Sequence, residues 1–90
     1  MTKANWIEQS GVLAKEFLFA DFTSSVEFCA DIAIAADQLN HHPTLTVSWG
    51  KVVVSTTTHD AGNTVTELDH QLAEKIDRAY TLAEHRKQIA

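Results

Sequence analysis

The 90-residue sequence predicts an α+β fold, a four-stranded antiparallel sheet in the order β-β-α-β-β-α with the helices packed on one face. Three observations carry this expectation. Short segments of alternating apolar and polar residues occur in two pairs, a glycine-containing turn divides each pair, and an amphipathic stretch of helical period follows each pair. With 44% apolar residues, one proline and three glycines, the composition suits a packed core and lacks the bias of disordered or repetitive chains. No repeat or linker interrupts it, so residues 1–90 are expected to form a single domain.

The elements follow in order. Asn5 to Gln9 and Val12 to Phe19 flank Ser10-Gly11, and in the second segment Leu13, Lys15, Phe17 and Phe19 share one face, which predicts a hairpin. Ser24-Ser25-Val26-Glu27 then matches a capping box, and Phe28, Ile32, Ala35 and Leu39 recur at helical spacing beside Val26, Cys29, Ala33 and Ala36. A long helix is expected to reach about Leu39. Pro43 stops it, because proline has no N–H to donate and drives His42 out of the α region. Leu45, Val47 and Trp49 alternate with polar residues before Gly50-Lys51, and the β-branched run Val52 to Thr58 completes a second hairpin. A loop at Ala61-Gly62-Asn63 leads to Thr66-Glu67-Leu68-Asp69, a second capping box, and a helix whose buried stripe is expected at Leu68, Leu72, Ile76, Ala79 and Ala83.

Charge and cysteine content exclude several functions. Seven Lys and Arg face twelve Asp and Glu, a net charge of −5 without a basic cluster, so a direct nucleic-acid ligand is not expected. Neither the N-terminal MTKANWIEQS nor any later run has the apolar length of a signal peptide or membrane span, and a cytoplasmic protein without a membrane partner is expected. Cys29, the single cysteine, suits a reducing compartment and reads as a small buried hydrophobe.

His41 and His42 fall where the long helix stops, and His59 falls where the last strand stops. Such element ends are where sites are built, and imidazoles converging there suit paired acid and base steps near neutral pH. Plainer roles stand beside this one. The helix macrodipole alone favours histidine at a C-terminus, Asp69 has a sufficient task in capping the last helix, and Trp49 reads first as a packing residue. Zinc is not expected, because adjacent His41 and His42 cannot share one face of a helix or strand and no i, i+4 histidine pair or thiolate joins them. There is no G-x-S-x-G elbow and no glycine-rich phosphate loop.

Asp37, three residues, His41-His42-Pro43, five residues, Trp49, nine residues, His59, nine residues and Asp69 together resemble the motif of the pterin-4a-carbinolamine dehydratases. Phe17-Leu18-Phe19-Ala20-Asp21-Phe22 resembles the family's F-x-F-x-D-F entry into its long helix, and Leu72-Ala73 through Ile76-Asp77 resembles its last helix, so the likeness spans nearly the whole chain. One segment departs from it. Between His59 and Asp69 the family commonly has Gly-Leu-Thr and is often one residue shorter, whereas this chain reads Asp60-Ala61-Gly62-Asn63-Thr64-Val65-Thr66.

The resemblance implies dehydration of 4a-hydroxytetrahydropterin to quinonoid dihydropterin, without metal or organic cofactor, in tetrahydrobiopterin recycling. It assigns His41 and His59 as acids for the two faces of the pterin and His42 as ring binder and assisting base. Pro43 would direct the rings, Thr58, Asp60 and Ala61 would meet the pterin edge, Asp69 would orient an imidazole or bind the ring, and Trp49 would support the site. Asp37, one turn before His41, would hydrogen-bond it. The same fold serves in relatives as a non-catalytic dimerisation or assembly partner, and an aromatic amino acid hydroxylase or a regulatory protein is the partner class implied. A homodimer or tetramer is expected from the small core, the two sheet edges and the resemblance, with Thr and Ser of the last strand near an interface.

Overall fold

The computed structural model describes residues 5–83. It contains β1 (Ile7–Gln9), β2 (Val12–Leu18), α1 (Phe22–Leu39), β3 (Thr44–Ser48), β4 (Lys51–Thr56), a single 3₁₀ turn (His59–Ala61) and α2 (Glu67–Leu82). The β-β-α-β-β-α order is the expected one. The four strands pair antiparallel in the order β1-β2-β4-β3. β4 therefore lies inside the sheet, hydrogen-bonded to β2 and β3, and the edges are β1 and β3. This corrects the placement of Thr and Ser of the last strand near an interface: strand order depends on the crossover through α1, which no local pattern records.

Register explains the core. Pairing of Leu13 with Thr56, Lys15 with Val54 and Phe17 with Val52 puts these six side chains on one face of the sheet, and Leu45 and Val47 join them from β3. Phe28 and Ile32 of α1 and Leu72 and Ile76 of α2 are fully buried against that face. Tyr80 closes the cluster with its ring edge-on to Phe17 and Phe19 at centroid distances of 4.9 and 5.4 Å, and its hydroxyl donates to the Leu18 carbonyl at 2.9 Å. The opposite face carries Ile7, Val12, Ala14, Leu18 and Val53, and among the described residues no helix covers it.

Lys15 sits on the packed face because it shares the Asp77 carboxylate with Trp6 and lies over the Phe17 ring. The Lys15 ammonium lies 2.8 Å from Asp77 Oδ1 and 4.8 Å from the Phe17 ring centroid, while the Trp6 indole N–H donates to both Asp77 oxygens at 3.0 and 2.9 Å. Counter-charge and ring face together offset the desolvation of the amine. The cluster fastens the first hairpin to α2.

The start of α1 departs from the expected cap, whereas α2 opens on the expected capping box of Thr66 and Asp69. Asp21, not Ser24, caps α1, its carboxylate accepting the Ser24 N–H at 2.8 Å, so the helix begins at Phe22. Both residue types cap equally well, and packing decides: Ser25 is buried inside the first turn, its hydroxyl donating to the Asp21 carbonyl at 3.0 Å. Val26 and Ala33 consequently lie on the exposed side. In α2 the stripe starts one residue later than expected. Leu68 is 39% exposed and Asp69 is buried, followed by Leu72, Ala73, Ile76 and Ala83, with Ala79 half-buried. Cys29 is half-buried, and that burial pushes its thiol pKa up.

Trp49 is 73% exposed in the β3–β4 turn and packs on no core, which overturns its reading as a packing residue. A two-residue turn at the sheet's end leaves no neighbour for an indole to cover.

Candidate active site

The end of α1 is built by the residues that follow it. Asn40 adopts the left-handed conformation at φ 50°, the Asn40 N–H reaches the Asp37 carbonyl at 3.2 Å, and the His41 N–H reaches Ala36 at 3.1 Å, the pattern of a Schellman cap. The reversal turns His41 inward toward α2 and folds His42 back over the last helical turn. Pro43 then commits the chain to β3. At the same end of the molecule the inward alternation of β4 brings in Thr56 and continues past the strand to Thr58, and the first turn of α2 sets Asp69 facing them.

Asp69 is 0% exposed and joins these elements. Its Oδ1 lies 2.6 Å from Thr56 Oγ1 and 2.7 Å from His41 Nε2, and its Oδ2 lies 2.7 Å from Thr58 Oγ1 and 2.8 Å from the Thr66 backbone nitrogen. Desolvation by burial raises its pKa, but the hydrogen bonds from Thr56, His41, Thr66 and Thr58 outweigh it and hold the carboxyl at about 2, against an ordinary value of 3.8.

An ionised carboxylate only accepts, so the direction of every proton around it follows. Thr56 and Thr58 donate to Asp69. Thr58 Oγ1 is 2.7 Å from Thr66 Oγ1, and with its own proton committed it accepts from Thr66. His41 must donate from Nε2, so neutral His41 carries no proton on Nδ1.

The other two imidazoles are held by the same principle. His42 Nε2 lies 3.0 Å from Asp37 Oδ1, and His59 Nδ1 lies 2.7 Å from Asn63 Oδ1. Among the described residues, Nδ1 of His41, Nδ1 of His42 and Nε2 of His59 have no hydrogen-bond partner. All three histidines line one cleft of about 260 Å³, together with Asn40, Thr57, Thr58, Asp60 and Leu68. Each of the three rings is thus anchored to an oxygen through one nitrogen, and its other nitrogen is left without a partner among the described residues.

The expected site residues divide accordingly. His41, His42, His59, Thr58 and Asp60 meet at the cleft. Asp69 stands behind it and reaches it through His41. Asp37 pairs with His42, not with His41 as expected, because the Schellman turn carries the His41 ring to α2. Pro43 and Ala61 lie beside the cleft without lining it, and Trp49 belongs to the turn at the far end of β3. Thr56 and Asn63 were not anticipated. Thr56 had a signal, a hydroxyl at the inward position of the series Val52, Val54, Thr56, which demands a buried partner. Among the described residues no three His, Cys, Asp or Glu side chains are grouped to hold a metal ion.

Fold and cleft define a small α+β protein with three anchored imidazoles at one end of its sheet. The chain belongs to the pterin 4 alpha carbinolamine dehydratase family, whose model matches residues 1–79. It is 51% identical over 73 residues to a Metallosphaera sedula protein assigned by name to these dehydratases, covering 81% of this chain and 75% of the relative. A Saccharolobus solfataricus protein of the same assignment is 47% identical over 79 residues, with coverages of 86% and 80%. Among solved structures, a transcriptional coactivator/pterin dehydratase from Brucella melitensis superposes with a TM-score of 0.78 at 32% identity, covering 86% of this chain and 83% of that one. A pterin dehydratase-like RuBisCO assembly factor of the alpha-carboxysome shares the fold, with a TM-score of 0.71 at 18% identity and coverages of 89% and 96%.

Two outcomes follow from the Asp69 network. In Asp69→Asn the Thr66 N–H can face only the amide oxygen, so the amide N–H₂ turns to His41, whose Nε2 must then accept. Nitrogen NMR should show His41 switching from the Nε2–H to the Nδ1–H tautomer, and an unchanged tautomer would contradict the assigned proton directions. The second outcome concerns acid. A carboxyl whose folded pKa is depressed stabilises the fold above its unfolded pKa and loses that contribution as pH falls through the folded value. The window here runs from about pH 4 down to about pH 2 and amounts to roughly 2 kcal/mol. Urea unfolding should show the stability gap between the native protein and Asp69→Asn closing across that window.

Proposed function

We propose that this protein dehydrates 4a-hydroxytetrahydropterin to quinonoid dihydropterin and water by imidazole acid and base catalysis, as a step of tetrahydrobiopterin recycling. The observation that carries the proposal is the convergence of three anchored imidazoles on one cleft, each with a second nitrogen available to a ligand. Membership of the family supplies the pterin. The reaction breaks the bond from C4a to its hydroxyl oxygen and removes the proton from N5, so that a C4a–N5 double bond forms and water leaves. Nothing is oxidised or reduced. An acid must protonate the departing oxygen while a base takes the N5 proton, and a histidine serves either step near neutral pH.

His41 and His59 are the acids in this reading, reaching the cleft from a helix end and from the turn after β4. His42, more exposed, binds the ring and assists as base. Asp69 stabilises the imidazolium form of His41 that precedes proton transfer to the departing oxygen, as a buried carboxylate does behind a catalytic imidazole. Thr58 and Asp60 supply polar groups at the ligand's edge. Neither metal nor organic cofactor enters the scheme.

A second reading is assembly without catalysis, favoured by the coactivator function that the Brucella melitensis relative's name records. Turnover separates the two. The purified protein should convert 4a-hydroxytetrahydropterin, and His42→Ala and His59→Ala should each lower kcat/KM by about 10²–10⁴-fold with circular dichroism unchanged. A folded protein with no turnover would favour assembly.

The working unit in this proposal is a homodimer or larger. β1 and β3 each leave an unpaired edge, and Phe22, Val26 and Ile34 leave apolar area exposed along α1. Sedimentation equilibrium at micromolar concentration should give at least twice the 10.0 kDa chain mass. A single-chain mass would contradict the assembly.

A further inference from the structure

The segment from Asp60 to Thr66, where this chain departs from the family pattern, is also where His59 finds its partner. The 3₁₀ turn and the residues after it form a closed loop: the Thr58 N–H donates to the Thr64 carbonyl at 2.9 Å, the Asn63 N–H to Thr58 at 3.1 Å and the Gly62 N–H to His59 at 3.0 Å. Asn63 stands in the left-handed region at φ 59°, which asparagine tolerates better than most residues, and its side chain turns back to His59.

The outer wall of this loop is the β1–β2 turn. A Cβ on Gly11 would lie 2.3 Å from the Asn63 carbonyl oxygen, and Gly11 itself has φ +80°. The Thr57 hydroxyl donates to the Gly11 carbonyl at 2.6 Å. A hairpin turn that lines no part of the cleft is thus seated directly against the residue that holds His59. Only glycine permits that approach, both for its backbone conformation and for the space it leaves.

We propose that Asn63 is a positioning residue that fixes the tautomer and direction of His59, and that Gly11 sets where Asn63 stands. The Asn63 Oδ1 accepts the proton of His59 Nδ1, which presents an unprotonated Nε2 to the cleft whenever the ring is neutral. The device differs from the other two in charge. His41 and His42 have carboxylates behind them, whereas His59 has a neutral amide. That the anchored His59 serves as an acid rests on the dehydratase reading above; the anchoring itself does not.

The test is nitrogen NMR of the free protein at neutral pH, joined to turnover of 4a-hydroxytetrahydropterin. Native His59 should show the Nδ1–H tautomer. Asn63→Ala should release it to an average of both tautomers and lower kcat/KM about ten- to a hundredfold, leaving the His41 signals in place. Asn63→Asp, which keeps an acceptor oxygen, should restore the Nδ1–H signature. Gly11→Ala should reproduce the Asn63→Ala signature from outside the loop. A native His59 already averaged, or one unmoved by Asn63→Ala, overturns the proposal. A native protein with the expected signature and no turnover leaves the anchoring standing and removes the catalytic reading instead.

Discussion

The fold closes around a buried negative charge. Asp69 has no solvent, and its two oxygens are saturated by four donors from three places: Thr56 and Thr58 at and just past the end of β4, His41 after α1, and the backbone of Thr66 before α2. Burial of a lone carboxylate costs several kcal/mol, so any one of these elements out of place would leave the charge under-solvated. Continuity follows from that constraint. The sheet, the Schellman turn and the second helix must meet at one point, and the cleft is the outer side of the meeting.

A second carboxylate completes the attachment of α2. Asp77, two turns further along, takes the Trp6 indole and the Lys15 ammonium, so the helix is tied to the first hairpin there and to β4 and α1 at its start. Between the two ties lie Leu72, Ala73 and Ile76, all fully buried. The apolar residues supply the general attraction, and the two carboxylates specify register, since a slip of one residue would bury Leu68 and expose Asp69. The cap of α2, the orientation of His41 and the helix's rotation about its own axis are consequences of the same side chain.

Much of this was legible because it is local. The hairpin turn at Ser10-Gly11, the stop before Pro43 and the position of three histidines at element ends all follow from patterns a few residues long, whereas the second turn is Trp49-Gly50, one residue earlier than the expected Gly50-Lys51. The miss at α2 has a physical reason. Period alone assigned the inward position to Leu68, the apolar choice, whereas the partners that let Asp69 be buried lie 13, 11 and 28 residues away in Thr56, Thr58 and His41. Asp37 was matched with His41 on helical spacing, but the left-handed Asn40 ends that spacing before His41 is reached. Asn63 had no signal at all, because its role depends on a turn 52 residues earlier, at Gly11. Trp49 failed in the other direction: an aromatic in a strand-like alternation reads as core, and its place in the two-residue turn leaves it in solvent.

The claim on which the rest depends is that Asp69 remains ionised in the folded protein despite complete burial. Carbon NMR of its side-chain carboxyl through an acid titration measures this directly. The account predicts a midpoint near 2, well below the ordinary 3.8, with the His41 nitrogen signals moving in step. A midpoint at or above 3.8 would mean that desolvation wins over the four donors, and the placement of the His41 proton on Nε2 would no longer follow.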